Sequence, residues 1–186
     1  VNRLNGMFAI AIFDAQSQKL FLARDRAGEK PLFYRYEPGK SICFASELKS
    51  LMVDKKTNTK LNHRALDYYL MMGYVPNEMC ILEGYNKLPP AYALEFNTKT
   101  GYLKKWCYWD IPLLNSKSEV YLSENELLDE LENLLENSVK LQLEADVPVG
   151  VLLSGGIDSS LVTAMAVRSS NKVKTFTISF PGHGNL

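Results

Sequence analysis

The residues best equipped for chemistry stand together late in the chain, in Ser154-Gly155-Gly156-Ile157-Asp158-Ser159-Ser160. Paired glycines take backbone angles closed to other residues and put no side chain between the amides and a ligand. Ser159 or Ser160 can cap a helix that starts here. Free amides at a helix start, reinforced by the helix dipole, favour a bound anion. The anion this pattern points to is a nucleotide phosphate. It is not the common P-loop, because no lysine follows Gly156. Asp158 would repel a bare phosphate, so its natural place is beside a bound Mg²⁺ that inverts the local charge. The competing reading is an ordinary strand-turn-helix with a serine cap. Both serines and the aspartate in register weigh against it.

Such a loop needs a strand before it and a helix after it. Val149 to Leu153 is an apolar run of strand length, entered through Asp146 and Pro148, and reads as a buried strand. Leu161, Val162, Ala164, Met165 and Val167 mark the helix. Val173 to Phe180 reads as a second strand, completing a right-handed βαβ unit with its ligand at the strand C-termini. Upstream, Ser123 and Glu126 form a capping box. Leu127, Leu131, Leu134, Leu135 and Val139 then make an apolar stripe expected to be core. Ile111 to Tyr121 is polar and patternless, a linker.

The first part of the chain has a different texture. Met7 to Phe13 is a nearly continuous apolar run, expected to be a strand buried on both faces. Lys19 to Ala23, Leu32 to Tyr36 and Ser41 to Ala45 follow as strands, and short turns between them predict an antiparallel sheet. Ser46 is the expected cap of a short helix through Leu51. A longer helix runs from Lys60 to Met72, capped by Asn62 and stopped at Gly73. Ala91 to Phe96 and Tyr102 to Tyr108 form a hairpin. Arg24-Asp25-Arg26 invites a catalytic reading, but opposite charges pairing to fix a tight loop is the preferred one.

Composition narrows the class. Lys+Arg and Asp+Glu each number 21, so no net charge draws the chain to nucleic acid or a membrane surface. No apolar run reaches the ~18 residues of a spanning helix. Cys43, Cys80 and Cys107 are scattered and odd in number, which fits reduced thiols better than disulfides and lacks the spacing of a zinc site. The start at Val1, with strand-like residues close behind, predicts a piece of a longer protein.

Ser154-Gly155-Gly156-Ile157-Asp158-Ser159 resembles the Ser-Gly-Gly-x-Asp-Ser loop of the ATP pyrophosphatases. The loop alone also fits GMP synthetase, NAD synthetase and argininosuccinate synthetase. Ala145-Asp146-Val147-Pro148-Val149-Gly150 is similar to the lead-in of glutamine-hydrolysing asparagine synthetases. Three further signatures resemble the second half of a class II glutamine amidotransferase domain of that group. They are Leu4-Asn5-Gly6-Met7-Phe8-Ala9, Arg24-Asp25-Arg26-Ala27-Gly28-Glu29-Lys30-Pro31-Leu32 and Phe44-Ala45-Ser46-Glu47-Leu48-Lys49. Gly73-Tyr74-Val75-Pro76, Lys87-Leu88-Pro89-Pro90 and Tyr108-Trp109 are similar to the segment joining the two halves.

The resemblance implies an α+β fold: a partial αββα sandwich of the N-terminal-nucleophile type, then the start of an α/β ATP-pyrophosphatase domain. The division expected is residues 1–112, a linker at 113–122, and residues 123–186. ATP would be held by Ser154, Gly155, Gly156, Asp158, Ser159 and Ser160, with adenine against the backbones of Leu152 and Ile178. Mg²⁺ would lie beside Asp158. Asn5 stands where some members carry a glutamine-holding aspartate, and is as readily a polar turn residue. The catalytic cysteine of the family is N-terminal; none of the three cysteines here is, so the chain carries no catalytic residue and is expected by itself to hydrolyse no glutamine. The implied parent is a cytoplasmic ligase that makes asparagine from aspartate, glutamine and ATP through an aspartyl-adenylate. It has no nucleic-acid or membrane partner, and a homodimer of the full-length parent is compatible with it. Its rivals are a β-lactam synthetase or peptide-cyclising relative that uses an internal amine, and an inactive ATP-binding module.

Overall fold

The computed structural model describes residues 1–53, 59–76, 78–112 and 122–179. The chain divides into two compact units, Val1–Leu113 and Leu114–Leu186, each described by itself.

In the first unit, strands β1 (Ala9–Asp14) and β2 (Lys19–Arg24) form the expected hairpin. Asp14 closes it by accepting the amides of Gln16 at 2.9 Å and Ser17 at 3.2 Å. Strands β3 (Phe33–Glu37) and β4 (Ser41–Ala45) form a second hairpin. Helix α1 is Leu48–Leu51 and α2 is His63–Met72. Asn62 caps α2 by accepting from the Ala65 amide at 3.2 Å, and Gly73 ends it in the left-handed region. Strands β5 (Asn86–Lys87), β6 (Tyr92–Asn97) and β7 (Leu103–Cys107) complete the unit. Asn97 repeats the turn chemistry of Asp14, accepting from the Lys99 and Thr100 amides.

All these pairings are antiparallel, but they make two sheets rather than one, ordered β1-β2-β6-β7 and β4-β3-β5. The core draws on both: Leu22 and Leu94 from the first, Tyr34 from the second, and Leu32, Leu88 and Phe96 around them. Tyr36 meets Phe96 edge-on from one sheet to the other, ring centres 6.1 Å apart. Two expectations fail. β1 is not buried on both faces: it lies at the sheet edge, and Ile12 and Phe13 are more than half exposed. An apolar run alone does not say which strand is the edge. Ser46 does not cap α1 either; Glu47 occupies that position without a side-chain bond.

The second unit begins with α3, Glu124–Leu143, opened by the reciprocal capping box of Ser123 and Glu126. Strand β8 (Gly150–Leu152), helix α4 (Ile157–Ser169) and strand β9 (Lys174–Phe176) follow. β8 and β9 are parallel, in register Gly150↔Lys174 to Leu152↔Phe176. α3 packs on α4, with Arg168 of α4 bridging Glu132 and Glu136 of α3. The expected burial is not met. β8 is not a buried strand, since Leu152 is 74% exposed. The α3 stripe is not core: Leu127, Leu131 and Leu134 are exposed, and only Leu135 and Val139 are half-buried. A parallel sheet buries its strands only when layers cover both faces, and the described residues of this unit supply two strands and two helices. The second strand is also shorter than expected, and Phe180 lies outside the described residues. So does most of the expected linker, residues 113–121. Among the described residues no helix is long and apolar enough to cross a membrane.

Candidate functional site

The loop between β8 and α4 turns on Gly155, whose φ of +83° favours glycine. Gly156 follows at the helix N-cap with an ordinary φ of −74°. The serines do not cap the helix as expected. α4 starts at Ile157, so Ser159 and Ser160 already sit inside its first turn. Their hydroxyls donate back to the Gly156 carbonyl, at 3.1 and 2.8 Å. The helix therefore opens with no side-chain cap. Among the described residues the amides of Ile157, Asp158 and Ser159 meet no acceptor.

The loop's remaining bonds are internal and weak. Ser154 and Ser159 hydroxyls lie 3.1 Å apart; the Ser154 amide donates to Ser159 Oγ at 3.3 Å, and the Gly156 amide to Ser154 Oγ at 3.5 Å. An incoming oxyanion can replace each of them. The loop faces solvent: Ser154, Gly155, Gly156, Asp158 and Ser160 are exposed. A Cβ on Gly155 would meet nothing within 4 Å, whereas one on Gly156 would point between Ser154 Oγ at 3.5 Å and Ser159 Oγ at 4.0 Å. This is an open cradle of amides and hydroxyls at the positive end of a helix.

Asp158 stands in the first turn of α4. One exposed carboxylate with neighbouring hydroxyls is a hard oxygen donor set. It fits Mg²⁺, which usually takes one or two carboxylates and completes its shell with phosphate oxygens and water. Leu152 ends β8, and Ile178 lies two residues beyond the end of β9; both are strongly exposed, at 74% and 78%. The strands are tied further by Leu153 N donating to Phe176 O at 2.9 Å and Thr177 Oγ1 to Leu153 O at 2.6 Å.

Asn5 belongs to the first unit, exposed, just before Gly6. What holds the strand beyond it is Asp25, which is 1% exposed. Its carboxylate accepts the amides of Glu29 at 2.9 Å, Lys30 at 3.0 Å and Phe8 at 3.3 Å. Burial works to raise the Asp25 pKa, but these backbone donors outweigh it and hold the group below the ordinary range. The expected pairing of opposite charges in Arg24-Asp25-Arg26 is replaced by bonds to backbone. Arg24 donates to the carbonyls of Lys30 (2.8 Å), Leu88 (2.7 Å) and Gly28 (2.5 Å). Arg26 lies over the Trp109 ring at 5.5 Å. Residue types alone suggested that these charges act structurally. That their partners are amides and carbonyls follows only from the folded loop.

Residues 1–109 match the family model described as a glutamine amidotransferase domain, and residues 130–185 match that described as asparagine synthase. A putative glutamine-hydrolysing asparagine synthetase of Methanocaldococcus jannaschii is 36% identical over 186 residues, covering 98% of this chain and 35% of its own length. The chain belongs to the glutamine-hydrolysing asparagine synthetase family. Another member, asparagine synthetase 3 of Bacillus subtilis, is 37% identical over 170 residues, covering 89% of this chain and 26% of its own. A putative member from Mycobacterium bovis is 34% identical over 187 residues, covering 99% and 28%. The chain thus spans about a third or less of the length of these family members.

Proposed function

We propose that this chain is part of an ATP-dependent amide-forming ligase that makes asparagine from aspartate, glutamine and ATP, through an aspartyl-adenylate, with release of AMP and pyrophosphate. In this reading residues 1–112 are part of a class II glutamine amidotransferase domain with the αββα sandwich. Residues 113–122 are a linker. Residues 123–186 begin the ATP-pyrophosphatase domain. The parent works in the cytoplasm. The observation that carries the reading is the uncapped first turn of α4, open to solvent directly after β8.

The chemistry then follows from the chain's own groups. The amides of Gly155 to Ser159 and the hydroxyls of Ser154, Ser159 and Ser160 bind the phosphate oxygens. The amides of Ile157 to Ser159 are open before the ligand arrives, so they stabilise charge developing on departing pyrophosphate with little reorganisation. Adenine would rest against the backbone of two exposed residues, Leu152 at the end of β8 and Ile178 two residues past β9. Mg²⁺, when bound beside Asp158, supplies charge neutralisation on the leaving group. Asn5 is proposed as a glutamine contact.

The test is binding of Mg²⁺-ATP by titration calorimetry to the chain and to its Gly156→Val variant. The φ at 156 suits valine, so the fold survives while the new side chain fills the space between the two hydroxyls. The expected result is saturable binding weakened by at least roughly tenfold, the loss of one or two charge-assisted hydrogen bonds, with unchanged circular dichroism. Equal affinity in the variant would contradict the reading.

A further inference from the structure

The first unit contains a cleft of about 820 Å³ whose lining includes Arg24, Gly28, Tyr74, Lys87, Pro90 and Tyr92. Neither Asn5 nor Asp25 lines it, and none of its lining belongs to the nucleotide loop. Two cations reach it from different elements. Arg24 comes from the end of β2, its guanidinium anchored on the three carbonyls described above. Lys87 comes from β5, and its ammonium donates to the Val75 carbonyl. A guanidinium and an ammonium both carry more N–H donors than these bonds use.

Neither charge is held in an ion pair: among the described residues neither Arg24 nor Lys87 has a carboxylate within ion-pair distance. Asp25 favours a charged Arg24 through space, but its oxygens are given to three amides. Glu78, the carboxylate in the lining, is engaged by Lys105. Burial lowers the pKa of Lys87; the Cys80 sulfur opposes that, and the like charge of Arg24 reinforces it. Burial likewise lowers that of Arg24.

We propose that this cleft binds a small oxyanion, a carboxylate or a phosphate, between Lys87 and Arg24. Two like charges facing one partly desolvated space are unfavourable unless an opposite charge joins them. The walls are right for a ligand with some apolar surface, offered by Tyr74, Tyr92 and Pro90, and the volume lies in the range of small-molecule sites. Gly28 makes the geometry possible. Its φ is +71°, and a Cβ there would lie 2.7 Å from Pro90 Cγ and 3.2 Å from Arg24 Cζ. Only glycine lets the guanidinium lie beside the loop at this point.

The experiment is a titration of the chain with inorganic phosphate and, separately, with acetate at fixed ionic strength. It is done in the Gly156→Val background, so that the nucleotide loop contributes less. Saturable binding is expected, tighter for phosphate if the natural ligand is a phosphate and tighter for acetate if it is a carboxylate. Lys87→Gln should weaken it by roughly tenfold or more, as expected for losing a charge-assisted bond. Lys87→Arg should retain it, and Lys99→Gln, on an exposed turn, should not change it. Binding of neither anion, or equal binding by Lys87→Gln, would overturn the proposal. Should Lys87→Gln fail to fold, amide shifts of the unsubstituted chain decide instead. Gly28, Tyr74 and Tyr92 should move saturably with the anion while Lys99 stays still, and their failure to move would overturn the proposal equally.

Discussion

The loops of the first unit and the glycine loop of the second treat their backbone amides in opposite ways. In the first, side-chain oxygens close them: Asp14 and Asn97 in hairpin turns, Asn62 at the start of α2, and Asp25 with three amides at once. In the second, Ser123 caps α3 in the same manner, but α4 is left without a cap. Burial follows the same division. Leu22, Leu88 and Leu94 are fully enclosed in the first unit, whereas Leu152, Ile157 and Ile178 of the second are 74%, 84% and 78% exposed. Amides saturated by protein hold a fold together; amides left open beside hydroxyls and solvent are available to a ligand.

Core substitutions should separate the units most sharply. Leu94→Ala empties a site between the two sheets and should cost about 2–5 kcal/mol in chemical denaturation. Leu134→Ala, at a position 61% exposed, should stay within about 0.5 kcal/mol. Asp25→Asn comes next. Its amide group can no longer accept from all three backbone donors, and the loss should be about 2–3 kcal/mol at neutral pH.

The same residue gives a pH signature. Its folded pKa is depressed, so its contribution is fully present above the unfolded aspartate value of about 3.9 and is lost as pH falls below that toward the folded value. A denaturation series through that window should show a steeper loss for the natural sequence than for Asp25→Asn. Parallel curves would show that Asp25 is not the group responsible.

Local pattern made much of this visible in the sequence. The hairpins, the Asn62 and Ser123 caps and the glycine loop all depend on residues within a few positions of each other. What the sequence hid was long-range. The apolar run of β1 and the leucine stripe of α3 look like core because periodicity reports which side chains are apolar, not what covers them. That the first four strands fall into two sheets depends on β5 and β6, which arrive tens of residues later. Arg24 reaches Leu88 across 64 residues and Lys87 reaches Val75 across 12, so neither partner could be read from local spacing.

Smaller effects refine the contrast. Ser123→Ala should destabilise α3 by about 1 kcal/mol, seen as loss of helical ellipticity at lower temperature. Ala91 holds a left-handed φ of 60° while nearly buried. Ala91→Gly should relieve that strain and stabilise the first unit by roughly 0.5–1 kcal/mol in the same denaturation assay.

The most direct measurement is an amide-resolved NMR titration of the chain with Mg²⁺-ATP. The amides of Gly155 to Ser159 should shift together and saturably, and those of the capped helix starts at Ala65 and Glu126 should not. Shifts absent from the Gly155 loop, or no larger there than at the capped helices, would contradict the reading of α4 as a phosphate site.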